Sequence, residues 1–542
     1  MSSLAGHRWI AGPKQDLLLL IGLPLLIIPV VAMFLTSGLT DERSLNAWVF
    51  ALGAQGHHLP GWLRAYGDRD VFAAHRRRLI GGPVMIIALA LVFALADLTV
   101  LILAAYVWGI WHGLMQTYGV ARIYGRFQGA SEWVARWDLI VCQVGFVGGV
   151  IASPLRQHYL LDFALRLGLP IPASATLEGL RVVAILAVVT VGAIWLVIQW
   201  QQGLKGVHPG RLLLIPSSIA FWWFCNLTVT HMLVGLALFE IFHDLQYLSL
   251  VWWVGRTRLD QGAGGHSAAW LYGRGLGSVA LYVAACMLYG AMGAPGEAGS
   301  DLHRLGIGLL AASQLLHFYF DGFIWRLSRP ENATWVERSS DRKPHGMKAA
   351  PWGVIAALCV LAFATQREIA TRSQLEDRIL RLAESIPSSP ILQTQLAAWH
   401  RQQLRPVESI ESYRRALTLI PDYDLARAGI AAVFDDVLLQ GSLDQARDED
   451  CLALDRPDLA LRAFETGKRA LMNDQHSRAV RFWRTAACLN LKDAMPFHSL
   501  AVYYGQRGEL NEAKSALRRG LRYQPQSKPL KDLLDAITSR RD

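Results

Sequence analysis

The run from Val229 to Trp253 is long and apolar enough to cross a membrane, yet Glu240, His243, Asp244, Gln246 and Tyr247 fall within eight residues of it. Polar side chains in hydrocarbon are costly unless they face the protein interior and meet partners there. A chain carrying this segment must therefore build a bundle around it. Other apolar segments hold the candidate partners: His57 and His58, His112 with Gln116, and His317 with Asp321.

Of the 542 residues 53% are hydrophobic, and they are unevenly placed. Long apolar runs continue to about Gln366; beyond it apolar residues are spaced among charges. This pattern predicts an all-α chain, with a polytopic transmembrane domain over 1–366 and a soluble domain over 367–542. Spans must be helical because lipid offers the backbone no hydrogen bonds. Runs near the required length predict about eleven of them: 17–36, 45–63, 79–97, 99–119, 138–154, 180–200, 212–227, 229–253, 268–292, 303–325 and 350–366.

Arginine and lysine cluster at Arg8/Lys14, Arg64 to Arg78, Arg122 to Arg136, Lys205/Arg211, Arg256/Arg258 and Arg326 to Lys348. Each cluster follows an even-numbered run or precedes the first. The opposite loops, Thr36 to Ser44 and Gly293 to Asp301, are nearly free of them. The positive-inside rule then puts the N-terminus in the cytoplasm and the soluble domain on the far, periplasmic side of a bacterial inner membrane. The net charge of +10 is explained by topology and anionic membrane lipid, so no nucleic-acid partner is expected. Arg8 and Lys14 precede Leu17–Leu35 as in a signal peptide, but that run is long enough to be a first span. The six cysteines show no CxxC pair and four lie in apolar runs, so no disulfide framework is expected.

Depth ties the histidines together. His57 precedes Arg64 by seven residues, His112 precedes Arg122 by ten, His243 precedes Arg256 by thirteen and His317 precedes Arg326 by nine. At about 1.5 Å per residue, all four sit in a band about 10 to 20 Å from the inner boundary. Shared faces follow from i,i+4 spacing: His112 with Gln116, His317 with Asp321, Glu240 with Asp244, His243 with Tyr247. Glu240 and His243 form a Glu-x-x-His, the pair one helix offers to a metal in a di-iron bundle. His57 and His58 point about 100° apart, so one of them is expected to face the site. The expected ligands are His57, His58, His112, His243 and His317. Glu240, Asp244, Asp321, Gln116 and Tyr247 are expected as further ligands, as residues that support the ligands, or as proton carriers. Iron leads among the metals, with zinc, manganese and copper also compatible. The ring-rich set Trp111, Tyr118, Tyr124, Tyr247, Trp252, Trp253, Phe318, Tyr319, Phe323 and Trp325 lies at similar depth. It reads as an interfacial belt or as a pocket for a lipid-like substrate. His231, near the outer end of its helix, is expected to be structural, and the other histidines, including His75, His158, His208 and His400, are expected to be solvated.

Two resemblances add to this reading. The stretch Leu500-Ala501 to Tyr504-Gly505, then Gly508, Glu509-Leu510, Ala513, Ala516-Leu517, Gly520-Leu521 and Pro525 resembles a tetratricopeptide repeat, as does Tyr413 to Pro421. Units of about 34 residues span 390–423, 460–493 and 494–526, with a poor match over 424–459. Such repeats imply a concave surface for a protein or peptide partner. The membrane half is similar, in placing histidines on helices near the cytoplasmic face, to membrane fatty-acid desaturases and hydroxylases, and to bacterial carotenoid-cleaving oxygenases. It lacks the HxxHH boxes of the former. This likeness implies an iron- and dioxygen-using oxidoreductase acting on a hydrophobic or lipid-like substrate. A proton- or metal-coupled transporter and a membrane-anchored repeat scaffold are the alternatives. The first predicts polar residues strung across the full membrane depth; the second leaves the buried histidines without a purpose. No P-loop, GxSxG or HExxH is present.

Overall fold

The computed structural model describes residues 7–539 except 97–98, 167–169, 204–205, 261–268, 274, 293–299, 326–372, 422, 442 and 444–447. Two compact units divide between Thr371 and Arg372. Among the described residues every regular element is a helix.

The first unit contains α1 (Leu23–Thr36), α2 (Glu42–Val49), α3 (His58–Gly67), α4 (Arg69–Ala96), α5 (Thr99–Phe127) and α6 (Glu132–Ala152). It continues with α7 (Pro154–Arg166), α8 (Ser174–Gln201), α9 (Pro209–Trp223), α10 (Met232–Asp260), α11 (Leu276–Gly290) and α12 (Asp301–Ile324). Among the described residues five helices (α4, α6, α8, α10 and α12) are long and apolar enough to cross a membrane. They become six if Pro13–Ile21 and α1, bent by 51° to each other, make one span. Fewer straight spans than about eleven result because several apolar runs break. The run 45–63 divides into α2, a π-helical turn at Phe50–Gln55 and α3. The run 212–227 becomes the 15-residue α9 and a second π-turn at Phe224–Thr228. Within 268–292 only the 15-residue α11 is long. The run 350–366 and the basic stretch Arg326 to Lys348 lie outside the described residues.

Side chains of α4 (Leu79, Ile86, Ala90, Phe93) pack against Ala312, Leu315, Leu316, Phe320 and Phe323 of α12. Closeness is set by Gly308: a Cβ there would lie 2.7 Å from the Ala94 Cβ. On the other flank Leu114, Phe146 and Trp222 bring α5, α6 and α9 together. Two basic residues assigned to loops by their sequence position are buried. Arg211 lies 3.2 Å from Asp138, which also accepts from Trp195 Nε1 at 2.8 Å, and Arg211 donates to Gln199. Arg64 is 3% exposed and stacks over the Trp325 ring at 4.2 Å. Burying an arginine is costly unless it meets partners, and Arg211 meets Asp138 and Gln199.

Histidines assigned to solvent are corrected in the same way: His75, His158, His208 and His400 are buried. His208 caps α9 by accepting from the Gly210 N–H, faces the Arg8 carbonyl at 2.8 Å and stacks on Tyr124.

In the second unit helices pair as hairpins: Pro390–Gln402 with Pro406–Leu419, Pro457–Met472 with His476–Leu489, and Ala494–Gln506 with Leu510–Tyr523. Besides Asp455, left-handed residues sit at Leu404, Gly441, Asp474 and Gly508, spaced by 37, 33 and 34 residues. Three turns share one bond pattern: Arg405, Gln475 and Glu509 donate their N–H to the carbonyls of His400, Ala470 and Tyr504, each at 2.9 Å. Small residues mark the crossings; a Cβ on Gly467 would meet the Trp483 ring at 2.6 Å. Contrary to the sequence expectation, Cys451 and Cys488 form a disulfide across this stack. The helix stack brings together residues 37 positions apart, which spacing alone does not reveal. Cys142, Cys225 and Cys286 are free and buried; Cys359 lies outside the described residues.

Candidate metal centre

Four elements meet in one buried place. His57 stands at the N-cap of α3, directly after the π-turn Phe50–Gln55. Its Nδ1 is 2.7 Å from the Gly53 carbonyl and 2.8 Å from Asp244 Oδ1. Either acceptor places the ring proton on Nδ1 and leaves Nε2 as a lone pair, the arrangement of a metal-ligating imidazole. That Nε2 lies 3.0 Å from His317 Nε2, which lies 3.1 Å from His112 Nε2. The His243 ring packs edge-on against both His57 and His112, at 5.4 and 5.1 Å between centroids. One nitrogen from each of these four buried histidines falls within 4.8 Å of the other three. The four could hold a metal ion.

The donor chemistry suits one; the pairs at 3.0 and 3.1 Å are near a bound ion's spacing, and the full 4.8 Å spread would have to tighten around it. A tetrahedral ion with metal–nitrogen bonds of about 2.0–2.1 Å separates its ligand atoms by about 3.3 Å. Mutual hydrogen bonding cannot replace the ion at His317 Nε2, which faces two other Nε2 atoms. A single ring nitrogen has one proton to give or one lone pair to receive with, so one contact stays unmet. A shared cation satisfies all of them.

Carboxylates surround the ring nitrogens. Asp321 is held through Oδ1 by the Tyr247 hydroxyl at 3.1 Å and the Trp325 Nε1–H at 2.9 Å. Its free Oδ2 lies 3.7 Å from His317 Nε2 and 3.9 Å from His112 Nε2. Asp244 flanks His57. Glu240 lines a cavity of about 30 Å³ with His57, His112, His243 and Gln314. That is the room of about one water molecule. Negative charge on these groups would balance a divalent cation in a place where unpaired charge is expensive.

Of the residues expected here, the structure gathers His57, His112, His243, His317, Glu240, Asp244, Asp321 and Tyr247. His58 is not among the four. Its Nδ1 pairs with Ser313 Oγ at 3.0 Å and its ring stacks on His317 at 4.8 Å between centroids. Gln116 donates to the His243 carbonyl at 2.9 Å and to Gln246, fixing the backbone of α10. From the aromatic set, Phe318 stacks on His112 and Tyr247 and Trp325 clamp Asp321. Tyr124 instead donates to Asp16 at 2.9 Å, and Trp111 is exposed. Arg326 lies outside the described residues.

Sequence reasoning missed Gly53 and Gly61. A Cβ on Gly53 would lie 1.8 Å from Asp244 Oδ2, and one on Gly61 would lie 3.1 Å from the Tyr247 hydroxyl oxygen and 3.6 Å from His317 Nδ1. They flank His57 at four residues on either side, so a glycine–histidine–glycine row was present in the sequence as a signal. Gln314 was available too, three residues before His317 on the same helix.

Fold and site together define a class: a helical chain with several helices able to span a membrane and a buried four-histidine cluster that could bind metal. No protein-family model matches the chain, and no curated protein matches it.

Proposed function

We propose that the chain is an integral-membrane, metal-dependent oxidoreductase, using iron and dioxygen on a hydrophobic or lipid-like substrate. The observation that carries this reading is the convergence of four imidazoles beside a water-sized chamber. Four nitrogen donors with nearby carboxylate oxygens suit iron, zinc or manganese. The chamber leaves space for one small molecule beside the donors, as catalytic rather than closed structural sites do. A redox-active metal held there would supply electron transfer to a bound small oxidant. The chain's own residues would do the rest. Asp244 and the Gly53 carbonyl hold the His57 tautomer. Tyr247 and Trp325 aim Asp321 at the cluster. Glu240 and Gln314 offer hydrogen-bonding groups inside the chamber, and Phe239 and Phe318 help to exclude bulk water from it.

The transporter alternative has less support. Two further polar groups of the membrane unit pair among themselves: Arg211 with Asp138 and Gln199, Asp138 also accepting from Trp195, and Arg156 with Asn226 at 2.5 Å.

For the second unit we propose a tetratricopeptide-like array binding a protein or peptide, supported by the recurring turn geometry. We place it on the periplasmic side of a bacterial inner membrane. Two independent features support that placement: the basic loops of the membrane half and the Cys451–Cys488 bond, since disulfides persist in oxidising compartments.

The deciding experiment is metal content by plasma mass spectrometry on detergent-purified protein, His243→Ala and His317→Ala. Stoichiometric iron in the parent protein and its loss in both variants is the expected result. Metal-free parent protein, or iron retained in both variants, would overturn the assignment.

A further inference from the structure

Beside the histidine cluster lies a second, larger cavity of about 260 Å³ that the metal site does not use. Its walls are Gln55 of the π-turn, Tyr289 and Met292 at the end of α11, and Leu309, Leu310 and Ser313 of α12. We propose that it binds the end of a neutral, oxygen-bearing apolar molecule, such as a long-chain alcohol, aldehyde or ketone, that enters from the lipid. The proposal gives a place and a chemical class to the hydrophobic substrate of the preceding section, and rests on that reading only for the claim that the bound molecule reacts.

Size sets the first limit. Pockets for whole drug-sized ligands begin near about 300 Å³. This one holds the end of a chain, with the remainder left in lipid. Its mouth agrees: Leu309 is 50% exposed and Met292 56% exposed, apolar surfaces that in a membrane-spanning bundle meet acyl chains.

Polarity sets the second. The Tyr289 hydroxyl and Ser313 Oγ are 2.8 Å apart, and Ser313 Oγ is 3.0 Å from His58 Nδ1. Hydroxyls both donate and accept, so together they can receive an alcohol or a carbonyl oxygen. Among the described residues no charged side chain lines the cavity. A carboxylate, phosphate or ammonium group would arrive there without a counter-charge, which is strongly unfavourable in a low-dielectric site.

Position sets the third. Ser313 precedes His317 by one helical turn, and Gln55 precedes His57 by two residues. The next residues along, Ala54 and Gln314, line the small chamber beside the four histidines. The two cavities are therefore lined by neighbouring residues of the same two elements, and the His58 ring, stacked on His317, lies beyond the Ser313 hydroxyl. A molecule seated on Tyr289 and Ser313 would hold its oxygen-bearing end about one side-chain layer from the cluster.

Photoaffinity labelling tests this without knowledge of the natural substrate. The probes are a diazirine-bearing long-chain alcohol and the matching alkane, applied to purified full-length protein with metal content measured on the same samples. Adducts from the alcohol are expected on peptides containing Tyr289 to Met292 and Leu309 to Ser313. Unlabelled dodecanol should compete and dodecanoate should not, a comparison that needs no variant. Tyr289→Phe with Ser313→Ala should cut alcohol labelling about five- to tenfold, the loss expected from a removed hydrogen bond, and leave alkane labelling unchanged. Leu310→Trp should block both. Labelling spread over lipid-facing helices, or equal competition by the carboxylate, would overturn the proposal. Bound metal with diffuse labelling would sink this inference alone; specific labelling without bound metal would sink the oxidoreductase reading and leave the cavity assignment standing.

Discussion

Gly53 shows how tightly the candidate metal centre is assembled around single residues. It supplies the carbonyl that faces His57 Nδ1, and it leaves the space occupied by the Asp244 carboxylate. In Gly53→Ala the new Cβ would lie 1.8 Å from Oδ2, a distance no real contact allows. Asp244 must turn away, and His57 then loses the carboxylate that holds its tautomer. Losing such a support to a liganding imidazole weakens metal binding by about 10- to 100-fold. Competition with a chelator of known affinity measures the change. Unaltered affinity in a folded Gly53→Ala protein would show that Asp244 is not a partner of His57. Much at this scale was legible in advance. Depth and i,i+4 spacing selected His112, His243, His317 and Asp321. The choice between His57 and His58 was not legible, because it depends on the phase of the π-turn that precedes them. Gln116 takes the supporting one of the roles expected of it, on the His243 carbonyl; spacing alone cannot tell a side chain aimed at a neighbouring backbone from one aimed at a ligand.

Among the elements, α12 matters most, since it carries His317 and Asp321 and forms one wall of both cavities. Its close approach to α4 depends on Gly308, where a Cβ would meet Ala94 at 2.7 Å and the Ala90 carbonyl at 3.2 Å. Neither atom belongs to a flexible side chain, so Gly308→Ala must push two backbones apart. Overpacking of this kind costs about 1–3 kcal/mol. Gly192 of α8 has nothing within 4 Å of the equivalent position, and Gly192→Ala should be neutral or stabilising by up to about 1 kcal/mol. Thermal unfolding in one detergent compares the two, and equal midpoints would contradict the tight packing described. The long apolar helices followed from hydropathy alone because length and composition suffice for them. The broken runs did not. Gly53, Gly56 and Pro60 within 45–63 were visible as interruptions, but hydropathy averages over them, whereas backbone geometry does not. Those interruptions are where the site forms: a π-turn shifts the helix phase and lets the chain present Gln55, His57 and His58 in three different directions.

For the whole molecule, the proposed placement of the second unit rests in part on a feature within that unit, the Cys451–Cys488 bond. Recurrent small residues and a proline at the start of several helices made the hairpins readable. The disulfide was not, because Cys451 falls in the poorly matching segment 424–459 and its Cα comes within 4.7 Å of that of Cys488 only through helix stacking. A bond closing 37 residues of chain stabilises a fold by about 3–4 kcal/mol on the loop-entropy account. Cys451→Ser with Cys488→Ser should lower the stability of this unit by roughly that amount, while the metal content of the first unit stays unchanged. Its state in the cell tests the proposed orientation. Cells quenched in acid and treated with a bulky maleimide under denaturing conditions should show Cys451 and Cys488 unreactive until a reductant is added. Cys142, Cys225 and Cys286 should react in the same sample without it, since they are free. If Cys451 and Cys488 react directly in acid-quenched cells, this unit faces a reducing compartment. The periplasmic placement then fails, and with it the use of the apolar run at 350–366, outside the described residues, as the segment that carries the chain across.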